Sequence, residues 1–339
     1  MKIVIDAMGG DNAPLAIVQG ALAAQKDFHE NCDLVLVGKE EELRKALAAE
    51  GVSQLPEGLS IVNAAEVITM EDDPANAFRK KKDSSMTVGL NLLKDGEGDA
   101  FVCAGSTGAL LSAATLLVKR SKGIRRAAVA PVVPTGGNSA VLIDAGTNAE
   151  CTPEYLVQFA LMGAAYARCV LGRENPKVGL LNIGAEPGKG DPLHKEAYTL
   201  LTQLSDQGVV NFVGNVESRE AVFGAVDVIV ADGFSGNIFL KAVEGTAMMM
   251  NGMLKDVFTK STGTKLGYLM VKSGLKEFKK KLDYREVGGS CILGIQKPVV
   301  KAHGSSDARA IYCAIRQARD AVAGSVCQVI ADDVAKMQE

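Results

Sequence analysis

The residues of this chain best suited to chemistry sit in short glycine-rich loops between apolar runs and helix-like stretches. The first loop, Asp6 to Pro14 (DAMGGDNAP), follows Ile3–Ile5. Gly9 and Gly10 let backbone approach a ligand closely, and Asp11 stands before a helix whose N–H groups can meet an anion. A plain strand-to-helix turn would use Asp11 or Asn12 as the helix cap instead. A second segment, KKKDSSM (80–86), puts Ser84 and Ser85 where a helix should begin. Hydroxyls, N–H groups and lysines there could form a phosphate site, although a capping serine on a solvated basic stretch is the simpler reading. A third, LLNIGAEPGKG (180–190), is not a nucleotide-binding P-loop: three residues separate Gly184 from Gly188, and Gly190 follows Lys189. A lysine in such a loop rarely serves packing, so Lys189 is a candidate for neutralising a substrate anion or a transition-state charge.

Two further loops complete the set. In DGFSGNI (232–238), Asp232 heads a tight turn and Asn237 opens a helix, where it could donate to a developing oxyanion or act as the cap. In KAHGSSD (301–307), His303 is one of only three histidines, and Gly304, Ser305 and Ser306 precede the last helix. Residues 99–111 also align without gaps on residues 227–239, both reading as strand, G-x-[ST]-G and helix. Two similar βα units in one sheet explain this echo, and it places Ser106 and Thr107 at a strand end, where ligands bind in such folds. No GxGxxG follows a strand, and HExxH, GxSxG and a nucleophile triad are missing. The chemistry expected is transfer involving a phosphate, by positioning and electrostatics, without an enzyme-bound intermediate.

Such loops need a scaffold. Ile3–Ile5, Leu34–Val37, Phe101–Val102, Ala127–Val133, Val141–Ile143, Val178–Ile183, Val209–Val213 and Val226–Ala231 read as strands. Several are continuous Val/Ile/Leu runs, the pattern of strands covered on both faces. Helical patterns at 15–25, 41–49, 86–94, 109–119, 154–171, 194–204 and from about Asp307 alternate with them. The order predicts a Rossmann-like three-layer αβα sandwich. Gly136-Gly137-Asn138 between two apolar runs predicts a hairpin, hence a mostly parallel but mixed sheet. One domain is expected over 1–339, with 245–282 a projecting helical pair and β structure resuming near Tyr284.

Composition sets limits. With 339 residues, 47% hydrophobic and 23% charged, the chain can bury a large core. A net charge of −3, no Trp and 5% aromatics argue against nucleic acid as partner. Seven cysteines contain no CxxC pair, which removes zinc-ribbon and thioredoxin-type sites. Free thiols fit a cytoplasmic setting, and MKIVIDAMGG reads as a first strand and not as a signal peptide.

These motifs together resemble the PlsX-type phosphate acyltransferases from end to end. The matching pieces are IDAMGGDNAP (5–14), KKDSSM (81–86), CAGSTGAL (103–110), LIDAGTNAEC (142–151), QFALMGAAYA (158–167), LLNIGAEPGKG (180–190), NFVGNVESRE (211–220), DVIVADGFSGNIFLK (227–241) and KAHGSSDARA (301–310). Cys103 and Ser106 depart from the family's usual SAGNTGAL. The resemblance implies a fold similar to isocitrate and isopropylmalate dehydrogenases and to phosphate acetyltransferases. It implies transfer of a long-chain acyl group from acyl carrier protein to inorganic phosphate. The acyl phosphate would feed a membrane glycerol-3-phosphate acyltransferase in phospholipid synthesis. It further implies a homodimer that is peripheral at the inner face of the cell membrane, with Lys189 and Asn237 as active-site residues; the motifs themselves call for no cofactor and offer no metal-ligand set.

The segment 255–281 holds eight lysines against Asp256 and Glu277. Met250, Leu254 and Phe258 recur at helical spacing before Lys272, Lys276, Lys279 and Lys280. An amphipathic basic helix of this kind suits an anionic lipid surface or the acidic carrier protein, and a dimer-interface helix with a solvated lysine face is the plainer alternative. Rival functions are a phosphate acetyltransferase using coenzyme A thioesters, a decarboxylating dehydrogenase, and a membrane-associated scaffold without catalysis. The dehydrogenase would need converging aspartates for a metal, and the motifs contain no such cluster.

Overall fold

A computed structural model describes the backbone of residues 1–282 and 288–338, and side-chain surroundings for 1–276 and 288–337. Tyr284 and the side chains of Lys279 and Lys280 lie outside the described residues. Among the described residues, eleven strands form one sheet in the order β3-β2-β1-β4-β11-β10-β5-β6-β9-β7-β8. The first half comprises β1 (Lys2–Asp6), β2 (Asp33–Gly38), β3 (Leu59–Asn63), β4 (Ala100–Cys103) and β11 (Val299–Ala302), all parallel neighbours. The second comprises β6 (Ser139–Ile143), β7 (Val178–Leu181), β8 (Phe212–Val216) and β9 (Val228–Val230), again parallel. Antiparallel β10 (Gly289–Leu293) and β5 (Ala128–Pro134) join the halves. Residues 128–131 of β5 pair with β10, and residues 132–134 form the expected hairpin with β6.

Helices cover both faces, so the Val/Ile/Leu runs have no solvent side. β4 and β7 are buried at every residue. Helix α6 (Pro153–Cys169) is buried continuously from Leu156 to Ala167, and its Tyr166 hydroxyl accepts a 2.6 Å hydrogen bond from buried Gln317. The αβα architecture with a mixed sheet is as the sequence predicts. Three details differ. Strand β3 escapes the pattern because only Leu59 of its residues is buried. Val209 does not begin a strand: its N–H returns to Leu204 O at the end of α7 (Pro192–Asp206), Gly208 turns the chain with φ +73°, and β8 starts at Phe212. The last helix is two, α11 (Ala308–Ala323) and α12 (Val326–Gln338), broken at Gly324 and Ser325.

Two long helices follow β9. Helix α9 (Gly233–Thr259) begins at the sheet, and α10 (Thr262–Leu282) packs chiefly against it, with Phe258 and Tyr268 edge to face at 5.6 Å. Their outer surface exposes Met249, Met253, Leu266, Leu269 and Met270. Among the described residues no helix is long and apolar enough to cross a membrane.

Candidate functional site

Three loops of the first half meet where β1, β4 and β11 end. Buried Asp6 folds the first loop back, accepting from Met8 N at 3.1 Å, Gly9 N at 3.2 Å and Cys103 Sγ at 3.0 Å. Burial, then the Asp6 charge, hold the Cys103 thiol well above its usual range, so it stays a neutral donor. Gly9 is required by a neighbouring loop: a Cβ there would lie 2.8 Å from Gly105 N. Gly10, at φ +103°, sends Asp11 N to Gly304 O at 2.8 Å. Asn12 Nδ2 reaches Ser305 O and Ser306 O at 3.2 and 3.1 Å. Neither Asp11 nor Asn12 caps α1 (Leu15–Phe28), whose cap position is Pro14.

The third loop carries the polar end of a cavity. His303 Nδ1 accepts from Ser305 N at 3.2 Å and lies 2.9 Å from Ser305 Oγ, which leaves the ring proton on Nε2 when the ring is neutral. Asp307 caps α11 by accepting from Ala310 N at 2.9 Å. Ser306 is buried, and its Oγ has no hydrogen-bond partner among the described residues. Lys301, 9% exposed, donates to Ala104 O at 3.4 Å and to Ala302 O. Burial lowers its pKa, against the raising effects of Cys103, Asp11 and Asp6. Lys301 was missed as a site residue, although a lysine inside the apolar strand VVKA was the available signal.

The second half supplies the facing wall. Asp144, fully buried at the end of β6, accepts from Val129 N at 3.1 Å, Thr147 N at 3.1 Å, Thr147 Oγ1 at 2.6 Å, Asn148 N at 2.6 Å and Asn148 Nδ2 at 3.0 Å. This holds Gly146 and Thr147 beside Asn237, whose Oδ1 would be 3.3 Å from a Cβ on Gly146. Asp232 is the cap of α9, accepting from Phe234 N at 3.0 Å and Ser235 N at 2.9 Å. Its other oxygen lies 4.0 Å from His194 Nε2, and His194 Nδ1 lies 2.8 Å from Asp191, the cap of α7. Lys189 precedes Asp191 in an exposed loop that Asn182 and Asn215 tie down through Lys189 O and Glu186 O.

Thr107, Asn237, Lys301, His303, Ser305 and Ser306 thus line one cavity of about 900 Å³. Gly9, Gly10, Asp11 and Gly304 support it through the backbone. Val132 and Val133 of β5 and Leu240, Val243 and Met248 of α9 give it an apolar wall. Lys189 and Asp232 are outside that lining. Ser106 is buried and caps the next helix through Ala109 N at 3.4 Å. Ser84 and Ser85 are buried at the start of α4 (Ser85–Lys94) and away from the lining. Ser84 Oγ caps Thr87 N at 3.3 Å and donates to Lys81 O at 2.8 Å, the plainer of its two readings. On the paired helices Met250, Lys272 and Lys276 are exposed, with Leu254 and Phe258 half-buried. No three His, Cys, Asp or Glu side chains cluster to hold a metal among the described residues.

The fold is a Rossmann-like αβα sandwich of the kind seen in solved phosphotransacetylases. A phosphotransacetylase from Streptococcus pyogenes is similar over 94% of both chains, with TM-score 0.61 and 20% identity. A 4-hydroxythreonine-4-phosphate dehydrogenase from Burkholderia phymatum is similar over 98% of this chain and 97% of its own, with TM-score 0.50 and 14% identity. In sequence, residues 1–329 match the model of a family described as fatty acid synthesis protein. A phosphate acyltransferase from Thermoanaerobacterium thermosaccharolyticum is 46% identical over 98% of this chain and 99% of its own length. Those from Thermoanaerobacter pseudethanolicus and Bacillus cereus are 48% and 45% identical, covering 99% of this chain and 98% and 99% of their own. The chain belongs to the phosphate acyltransferase family, and it is an acyltransferase.

Proposed function

We propose that this protein transfers a long-chain acyl group from acyl carrier protein to inorganic phosphate, releasing acyl phosphate for phospholipid synthesis. The cavity carries the reading: a dehydrated polar end with Lys301, Ser306 and the N-terminus of α11 opens onto an apolar wall between β5 and α9. The first suits a phosphate and the second an alkyl chain. Membership of a family whose relatives are named phosphate acyltransferase supports the same conclusion.

In this mechanism phosphate is the nucleophile. One of its oxygens attacks the thioester carbonyl carbon, the C–S bond breaks, and the phosphate proton passes to the departing thiolate. Lys301 and Ser306 hold the phosphate. Asn237 donates to the carbonyl oxygen as it becomes an oxyanion, and Lys189 supplies positive charge from the neighbouring loop. His303 Nε2–H orients a phosphate oxygen. The protein works as a homodimer at the inner membrane surface. There Met250, Leu254, Phe258, Lys272 and Lys276 meet lipid, and product passes to the membrane glycerol-3-phosphate acyltransferase.

Palmitoyl-acyl carrier protein and labelled phosphate test this directly. Label should enter an organic-extractable product that hydroxylamine destroys, in step with free carrier protein. Lys189→Ala and Asn237→Ala should each reduce that rate by about 100-fold or more. Activity with acetyl-CoA alone would favour the phosphate acetyltransferase reading instead. Near-normal turnover of Lys189→Ala at saturating phosphate would remove Lys189 from the mechanism.

A further inference from the structure

We propose that the loop of residues 119–126, between the helical segment 107–118 and β5, is the docking surface for the acidic carrier that delivers the acyl group. This inference rests on the carrier-protein reading above. Residues 119–126 read KRSKGIRR, with five cations and no acid among eight residues. The chain as a whole carries −3, so the residues outside this loop carry a net −8. Lys119, Arg120, Lys122, Arg125 and Arg126 are all exposed, and none pairs with a carboxylate among the described residues. The nearest acid in sequence order on α6, Glu154, instead accepts from Thr152 Oγ1 at 2.9 Å.

The loop is held rigidly, which a solvated lysine stretch does not need. Buried Gln158 clamps it at two points, donating to Gly123 O at 2.9 Å and accepting from Arg125 N at 2.8 Å. Ser121 N bonds Gly294 O at 2.9 Å, and Ser121 Oγ bonds Ile295 O at 3.3 Å. Arg120 Nη1 closes the loop onto Arg125 O. Between these clamps lies an open concavity lined by Arg120, Arg125, Arg126 and Tyr155, with the Arg126 guanidinium 5.7 Å from the Tyr155 ring centre. Preorganised arginines lose little freedom when they engage carboxylates, and guanidinium pairs with them in two parallel bonds. A negatively charged protein helix is therefore the partner that fits.

Position links the surface to the site. Arg126 is three residues before Val129, which lines the cavity, a span of about 10 Å along a strand. Asn148 Nδ2 holds Ala127 O at 3.0 Å, so the loop base is fixed to the same turn that presents Thr147 to the cavity. A carrier docked on the arginines would stand beside the opening into which its thioester must reach.

The test is steady-state kinetics of the full-length protein carrying Lys122→Glu, Arg125→Glu and Arg126→Glu. Three donors or probes are compared: palmitoyl-acyl carrier protein, palmitoyl-pantetheine, and vesicles of phosphatidylglycerol. The expected result is at least a tenfold higher KM for the carrier-linked donor, with kcat, the phosphate KM and the palmitoyl-pantetheine rate unchanged. Raising salt from 50 to 300 mM should weaken the unsubstituted protein's carrier KM and leave that of the variant nearly constant. Arg125→Gln with Arg126→Gln should give the same pattern more weakly and controls for folding. An unchanged carrier KM in both variants would overturn the proposal. So would a raised phosphate KM, which would mark a free-anion site, or loss of vesicle binding with carrier KM intact, which would mark a lipid surface. If the unsubstituted protein uses palmitoyl-pantetheine but not the carrier-linked donor, the carrier reading itself fails. That outcome is recognised because it needs no substitution.

Discussion

Replacing Gly236 with alanine should separate the site's geometry from helix propensity. Gly236 lies in the first turn of α9, immediately before Asn237, and packs on the chain at Asp144. An alanine Cβ would lie 1.9 Å from Asp144 O, about 1.5 Å inside the 3.4 Å of an ordinary contact. The obstacle is backbone, and that backbone is fixed by the five hydrogen bonds made to the Asp144 carboxylate. No side chain can swing away, so α9 must move outward and carry Asn237 with it. A displacement of about 1 Å at a positioned donor costs on the order of 100-fold in rate. The overpacking costs roughly 1–3 kcal/mol of stability.

The same substitution at Gly245, in the same helix, has the opposite expectation. A Cβ there meets nothing within 4 Å, so alanine gains about 0.5–1 kcal/mol from helix propensity alone. Urea unfolding and the acyl-phosphate assay, run on both variants, read the two effects. Gly236→Ala should lose stability and kcat together; Gly245→Ala should gain stability and keep kcat. If Gly236→Ala held kcat within twofold and unfolded no earlier than the unsubstituted protein, the packing of α9 on Asp144 described above would be wrong.

Three other outcomes follow from the same contacts. Lys301→Met should raise the phosphate KM at least tenfold while increasing stability by about 1–2 kcal/mol, because a buried ammonium is exchanged for a fitting apolar chain. Its pKa in the folded state lies below the usual 10.5, so between the two values the unfolded chain binds the extra proton. Stability of the unsubstituted protein should therefore gain from this site as pH rises through that window, and Lys301→Met should lack the gain in unfolding curves measured across it. Asp144→Asn should cost about 3–5 kcal/mol in urea, since an amide NH₂ would face donors that the carboxylate now accepts. Ser84→Ala should cost about 1 kcal/mol through the lost cap and leave the phosphate KM unchanged; a raised KM would restore Ser84 to the phosphate site.

The parts of the fold visible in the sequence were those set by local pattern. Val178–Leu181 and Val228–Val230 are buried on both faces, and unbroken apolar runs are all that such strands can be. The hairpin at 136–138 was equally local. Strand β3 was hidden because its partner β2 supplies most of what holds it, while Ser60, Ile61 and Val62 stay partly exposed or exposed. Val209 and Val210 misled because an apolar pair can finish a helix as well as start a strand, and the choice was made by Gly208. At the site, spacing identified the loops but not their neighbours. The motif offers Gly9 as clearance for a ligand, and the structure adds that the same bare Cα makes room for Gly105. The sequence does not single out Lys301 beside His303, because its surroundings include Asp6, Cys103 and Ala104, some 200 to 300 residues away in the chain.

The two groups of positive charge do different physical work, and their sign on stability tells them apart. Lys301 is dehydrated, and burial outweighs the raising effects of Cys103, Asp11 and Asp6, so its charge costs the folded state free energy that a bound anion would return. Such a charge is placed to bind one small ligand tightly at a fixed point. The cations of 119–126 keep their water, cost folding little, and act on partners still some distance away. The cations of 119–126 lead directly into β5, whose Val129 joins the Asp144 turn three residues after Arg126, while Lys301 lies on β11, two strands away across β10. The strand that links the two halves of the sheet therefore also links the place where a donor would arrive to the place where its acyl group would react. Neutralising the surface cations should leave unfolding curves nearly unmoved and slow only encounter, whereas neutralising Lys301 should raise stability and weaken phosphate. One protein showing both signs would establish that the anion end of the cavity is strained for function and the approach to it is not.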